Sequence, residues 1–237
     1  MIALYIMSSS SKILVIIPAR AGSKRIKGKN TKSFNGFPLI EHSIKYAQSY
    51  IDGDIIISTN DKQIESIAEQ YNVPILWRNE SLAQDQTPTT DVVKDVIERV
   101  DKTYDFVVLL QPTNPLRPKK MFKEALKLLE EKKSDSLLTV SLSEHKLGKI
   151  KHFAFKPYTY EFGQRSQDLV PFYYENGLLY LCSYELAKNG KLMCKNPTAM
   201  LIEHPFASVD IDTELDWKWA ELISKETNNK SIVLKTI

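Results

Sequence analysis

The chain has 237 residues, 43% of them hydrophobic and 26% charged, with a net charge of +3 and only two cysteines. That composition excludes whole-chain disorder, a collagen-like repeat and a disulfide-stapled scaffold. The charge is too small for nucleic acid to be the main partner, and a chain of this length buries about 70% of its unfolded surface as one large domain.

Residues 1–11 read as a flexible N-terminal extension, an apolar run with no basic leader followed by serines. No run reaches the roughly 18 apolar residues of a membrane span, so no membrane is expected. Cys182 and Cys194 form no CxxC and suit a reducing cytoplasm. Residues 13–17 (ILVII) are an unbroken apolar run, the mark of a strand buried on both faces of a parallel sheet. A basic loop follows to about Phe37, and Pro38 opens a helix whose Ile40, Ile44 and Ala47 keep helical spacing. Residues 54–58 are a second strand. Ile64, Ile67, Ala68 and Tyr71 mark a second helix, and 74–77 a short strand. Val92, Val93, Val96, Ile97 and Val100 form another helical stripe, with Thr89 or Thr90 placed to cap it. Residues 106–110 are a fourth strand, 119–132 a helix and 135–140 a fifth strand. The alternation lapses between about 141 and 171. Strands are expected again at 178–182 and 199–202, then a helix over 212–224 and a last strand at 232–235. Trp77, Trp217 and Trp219 read as packing residues. The four histidines have no metal-binding spacing, and His42 falls on the first helix.

This order implies an α/β fold, a mostly parallel twisted sheet with helices on both faces. Ligands of such sheets sit beyond the carboxyl ends of the strands, so the loops after Ile17, Ile57 and Leu110 are expected to share one crevice.

Three segments carry chemistry. The first, 17–30, reads IPARAGSKRIKGKN. Gly22 and Gly28 allow backbone to approach an anion, and Arg20, Lys24, Arg25, Lys27 and Lys29 supply charge. A flexible basic loop just beyond a parallel strand suits a triphosphate; on composition alone it is equally a solvated surface loop. Neither GxxxxGK[ST] nor GxGxxG is present, which disfavours P-loop and NAD enzymes. The second, 109–118, reads LLQPTNPLRP; its prolines stiffen a turn that points Gln111, Thr113 and Arg117 at the crevice. The third, 208–216, reads SVDIDTELD. In an extended segment Asp210 and Asp212 project to one side and repel unless a cation lies between them. Mg²⁺ needs few protein oxygens when phosphates and water complete its octahedron. Asp212 also fits a helix N-cap, and Thr213 with Asp216 a capping box.

Together these segments resemble the acylneuraminate cytidylyltransferases, the CMP-sialic acid synthetase family. The resemblance runs from residue 13 to about 221. It is carried by IPAR-x-GSK through Lys29–Asn30, ISTND at 57–61, QPTNPLR at 111–117, NGLLY at 176–180 and DIDTELD at 210–216. It implies a Rossmann-like nucleotidyltransferase domain over 12–237, in which CTP is joined to a nine-carbon α-keto sugar acid and pyrophosphate leaves. It further implies nucleotide contacts from Arg20, Ala21, Gly22, Ser23, Lys24, Lys29, Asn30, Thr89, Thr90 and Arg117. Sugar contacts come from Gln111, Thr113, Lys149, Arg165 and Asn176. Asp210 and Asp212 match Mg²⁺ ligands and, with Arg20 and Lys29, are the residues expected to act on the phosphates. The 141–171 excursion corresponds to a dimerisation arm, hence a homodimer. Sialic-acid members often carry an aromatic pair before a Pro-Thr. Here 192–198 reads LMCKNPT, which leaves room for a legionaminate- or pseudaminate-type substrate. The alternatives are a CMP-KDO synthetase, whose members carry Gly-Asp-Glu-Pro where this chain reads Gln111-Pro-Thr, and a non-catalytic nucleotide-binding regulatory module.

Overall fold

A computed structural model describes residues 11–227. The elements, in order, are β1 (Ile13–Pro18), a hairpin of β2 (Ser33–Phe34) and β3 (Phe37–Pro38), α1 (Leu39–Tyr50), β4 (Asp54–Thr59), α2 (Lys62–Gln70), β5 (Ile75–Trp77) and α3 (Thr89–Arg99). Then come β6 (Phe106–Leu109), α4 (Met121–Lys132), β7 (Ser136–Ser143), a hairpin of β8 (Gly148–Lys151) and β9 (Ala154–Pro157), β10 (Phe172–Ser183), α5 (Tyr184–Lys188), β11 (Thr198–Leu201) and α6 (Glu214–Thr227). The N-terminal extension up to residue 10 and the strand expected at 232–235 lie outside the described residues.

One seven-stranded sheet runs in the order β11-β7-β10-β6-β1-β4-β5. Strand β1 lies inside it, parallel to both of its neighbours, β4 and β6. Strand β10 alone breaks the parallel pattern, running antiparallel to β6 and β7. It is also longer than the expected 178–182. Its register against β7 shifts between Glu175 and Tyr180.

The unbroken apolar run of β1 is explained by its position, because both faces are covered. Val15 and Ile17 pack with Ile40, Ile44 and Met121 in one cluster. Leu14 and Ile16 pack with Val93, Val96 and Ile97 in another. A third cluster stands apart from the sheet's two faces and joins the basic loop to the C-terminal helix: Ile26, Phe34, Leu39, Leu116, Val209, Ile211 and Trp217. The loop expected to be free is therefore pinned, with Ile26 only 1% exposed at its middle.

Several local expectations need correction. Helix α3 begins after Pro88, with no side-chain cap from Thr89 or Thr90. Helix α6 is capped by Thr213, whose hydroxyl accepts from the Asp216 N–H while Asp216 accepts from the Thr213 N–H at 2.7 Å. That capping box leaves the Asp212 carboxylate free for other work. Trp77 and Trp219 are exposed, and only Trp217 packs inside. The 141–171 segment is bounded by β7 and β10 and contains the β8–β9 hairpin. No helix among the described residues is long and apolar enough to cross a membrane.

Candidate active site

Beyond the carboxyl ends of β1, β5 and β6 lies a crevice of about 260 Å³. Arg20, Ser23, Lys29, Asn30, Thr89, Gln111 and Thr113 line it together. These are the expected residues from three separate segments. An adjoining recess of about 300 Å³ is enclosed by Arg20, Ser23, Lys24, Arg25, Lys29, Asp85 and Asp212. A larger groove, about 750 Å³, opens at the amino end of β4, where Asp54 is paired with Lys102 and Tyr104. It lies at the wrong end of the sheet for the rule that places ligands.

The basic loop is built into one wall of the crevice. Gly22 and Gly28 hold φ of +75° and +62°, the left-handed region that a Cβ disfavours. Ala21 donates its N–H to Asn60 Oδ1 at 2.8 Å, and Asn30 donates its side-chain amide to the Arg20 carbonyl at 3.1 Å. The amide of Ala21 is thereby spent and does not cradle a phosphate. Arg20 binds Asp85 at 2.6 Å, and Lys24 binds the other Asp85 oxygen. Lys29 donates to the Ile211 carbonyl at 2.8 Å and to Asp212 at 3.0 Å, and Arg25 meets the other Asp212 oxygen at 2.9 Å.

The turn after β6 positions the acidic pair. Asn114 is 1% exposed and donates to the carbonyls of Val209, at 2.8 Å, and Asn176, at 3.1 Å. The Ile211 N–H donates to the Thr113 carbonyl at 2.8 Å. Asp210 is thus held between two stitched residues, and Thr113 hydrogen-bonds its carboxylate. The protein crowding Asp210 raises its pKa by desolvation. The bond from Thr113 opposes that rise, and the like charge of Asp212 adds to it. Asp212 has two cations at bonding distance, whereas Asp210 has none among the described residues.

Among the described residues no three His, Cys, Asp or Glu side chains gather to hold a metal. The protein alone therefore makes no closed cage. Two neighbouring carboxylates, one of them unpaired, still fit Mg²⁺ if phosphate and water supply its other oxygens.

Other expected contacts lie elsewhere. Arg117 is buried, 6% exposed, and donates to the carbonyls of Leu178 and Gln111 and to the Ser43 hydroxyl. It faces inward and braces the turn rather than meeting a ligand. Asn176 is also buried. Its amide is consumed by Thr139, Ser141 and the Leu178 N–H, which hold the irregular part of β10 open. Gly177 there has φ +73°, and a Cβ would come within 3.0 Å of Asn114. Thr90 and Gly22 do not line the crevice. Lys149 lies over the Tyr158 ring and Arg165 is paired with Asp168, both on the arm and away from this chain's own crevice.

Three contributors were not anticipated. Arg78 follows β5, is 4% exposed and lines the crevice, bonded to the Ser58 hydroxyl and carbonyl. Burial, with Arg20 nearby, lowers its pKa to about 10, so it stays charged. Its place just past a parallel strand was a usable signal. Asp85 and the buried Asn114 carried no such signal.

A cationic loop lining a crevice at the carboxyl edge of a mostly parallel sheet, with Asp212 of the acidic segment in the recess beside it, is the arrangement of a nucleotidyltransferase. The matching family model is described as "Cytidylyltransferase" and spans residues 14–175. The chain belongs to that family. It is 35% identical to the CMP-N,N'-diacetyllegionaminic acid synthase of Legionella pneumophila, over 94% of this chain and all of that one. It is 30% identical to the pseudaminic acid cytidylyltransferase of Campylobacter jejuni, over 90% of this chain and 97% of the relative. An N-acylneuraminate cytidylyltransferase of Streptococcus agalactiae is 30% identical, but the match spans only 52% of that longer protein. The fold resembles a CMP:2-keto-3-deoxy-manno-octonic acid synthetase complexed with CTP, at TM-score 0.68 and 15% identity, over 91% of this chain and 99% of that one.

Proposed function

We propose that this protein joins CTP to a nonulosonic α-keto sugar acid of the legionaminate type, giving the CMP-sugar and pyrophosphate. The observation that carries the reading is the contact between Lys29, which lines the crevice with Arg20, Ser23 and Thr113, and Asp212, which lines the adjoining recess. It brings phosphate-binding charge and a carboxylate pair to one place. The choice of sugar is supported by the Legionella relative and by the aromatic-free 192–198 segment. The likeness to the octonic acid synthetase, at 15% identity, speaks to fold alone.

In this reading Arg20, Lys24 and Lys29 neutralise the triphosphate and stabilise the departing pyrophosphate. Gln111 and Thr113 present an amide and a hydroxyl to the sugar acid. Asp210 and Asp212 would hold Mg²⁺, which when bound supplies charge stabilisation at the phosphates. The protein's task is positioning and electrostatics, with no covalent intermediate on the chain. The sugar's anomeric oxygen attacks the α-phosphorus in line, and the bond to the β-phosphate oxygen breaks.

The arm suits a homodimer. Ile150, Phe153, Phe162, Val170 and Tyr173 all stand exposed on it or beside it, an apolar surface of the kind that partners cover. Pairing would let Lys149 and Arg165 serve a neighbouring crevice. The unpaired thiols Cys182 and Cys194 suit a cytoplasmic setting.

The test is to incubate the protein with CTP, Mg²⁺ and a panel of keto sugar acids and to measure pyrophosphate. Release with a legionaminate-type acid, and its loss in Asp210→Ala, is expected. Release with an eight-carbon acid only, or with none, would overturn the assignment.

A further inference from the structure

Four cations of the basic loop are already paired, and they are shared between two carboxylates that line the same recess. Asp212 takes Lys29 and Arg25, while Asp85 takes Arg20 and Lys24. The two carboxylates are held differently. Lys29 is also tied to the Ile211 carbonyl, and its side chain is only 12% exposed. Asp85 lies on an exposed turn, with Gln84 and Gln86 exposed beside it and Ala83 buried behind. That turn is tied down by its own bonds: Gln84 donates to the Glu80 carbonyl at 2.8 Å, and the Thr87 N–H to the Gln84 carbonyl at 3.2 Å. The Asp85 side chain takes part in neither bond, so it can leave Arg20 and Lys24 without breaking them. Asp85 lines both the crevice and the adjoining recess, as Arg20 does.

We propose that Asp85 is an internal stand-in for the triphosphate, an autoinhibitory carboxylate that occupies Arg20 and Lys24 until an incoming polyphosphate displaces it. The proposal rests on the nucleotide reading above. Arg20 lines both the crevice at the carboxyl edge of the sheet and the recess beside it, so a polyphosphate seated there needs the nitrogens that Asp85 now holds. Nucleotide binding is then an exchange of one anion for another. Exposed ion pairs are individually weak and screened by salt, whereas a polyphosphate carries several charges and wins the exchange. Asp85 sets how much of that attraction is realised. Because it acts on the phosphate end, it affects any triphosphate alike and leaves base choice untouched.

The experiment compares wild type, Asp85→Asn and Asp85→Glu in calorimetric titrations with CTP and with inorganic tripolyphosphate, at low and high salt, alongside steady-state turnover. Asp85→Asn is expected to bind both ligands about two- to fivefold more tightly at low salt, with the gain shrinking at high salt. Its KM for CTP falls while kcat and the melting temperature hold. Asp85→Glu keeps the charge and is expected to bind like wild type. If Asp85→Asn binds tripolyphosphate equally or more weakly while wild type still turns over CTP, the stand-in role is overturned and the enzymatic reading survives. An equal gain in Asp85→Glu also overturns it. If wild type neither binds CTP nor releases pyrophosphate, both readings fall.

Discussion

Lys29 and Asp212 stand 183 positions apart in the chain and meet at 3.0 Å. The contact is not an isolated surface pair. Ile26 anchors the loop in the same apolar cluster as Ile211, so the burial of one side chain from each segment brings the charges together. Lys29 Nζ also binds the Ile211 carbonyl, which fixes its direction toward the acidic segment.

That difference in fixation separates Lys29 from its neighbour. The side chain of Arg25 is 67% exposed and that of Lys29 12%. A fixed donor inside a crevice is worth far more to a charged transition state than a mobile one in solvent. Lys29→Ala is expected to lower kcat/KM by about 100-fold, and Arg25→Ala by less than about fivefold. Pyrophosphate release at varied CTP measures both. Equal losses in the two variants would remove the distinction drawn from burial.

Asp210 yields a stability prediction of opposite sign to its effect on activity. Its folded pKa is raised, by desolvation first, so in the window between its unfolded and folded values the native state binds more protons than the unfolded state. Stability from this group is therefore present at low pH and lost as pH rises through that window. At neutral pH the carboxylate is a small liability, which a neutral isostere removes. Asp210→Asn, in chelator-treated buffer, is expected to melt no lower than wild type and up to about 2 °C higher, the gain being modest because the group is partly solvated. The gain should vanish on acidification below the ordinary carboxylate range. Activity, by contrast, is expected to be lost. Melting curves across pH, paired with turnover, check the two signs together, and a melting point clearly below wild type at neutral pH would contradict the assignment.

Much of the frame was legible from local pattern. The doubly buried run of residues 13–17 announced a central parallel strand because nothing else hides five consecutive apolar side chains so simply. The loop and the acidic pair were legible as residue types suited to phosphate and Mg²⁺. What local pattern could not show is how a polar group's partners are distributed along the chain. Arg117 looks like a ligand contact because it sits in a turn at a strand's carboxyl end. Its acceptors, the Leu178 carbonyl and the Ser43 hydroxyl, lie far off in sequence and appear only once β10 and α1 are in place. Asn114 and Asn176 are the same case, amides that satisfy backbone at an irregular strand. Asp85 differs again, since only the fold brings the turn after β5 across to Arg20.

Arg117 itself supplies the last test, because bracing and ligand contact predict different losses. Burial lowers its pKa to about 10, and no carboxylate among the described residues pairs with it. Replacing it removes an expensive buried charge, which stabilises, but orphans the buried carbonyl of Leu178, worth about 1–3 kcal/mol when left unsatisfied, and the half-buried one of Gln111, worth less. The second effect is the larger, since there are two acceptors and the Ser43 hydroxyl as well. Arg117→Met is expected to cost roughly 2–3 kcal/mol in urea unfolding. It should also lower activity through loss of folded protein and a loosened turn at Gln111, without a selective rise in KM for either substrate. Full stability combined with a selective KM defect would return Arg117 to the ligand-contacting set.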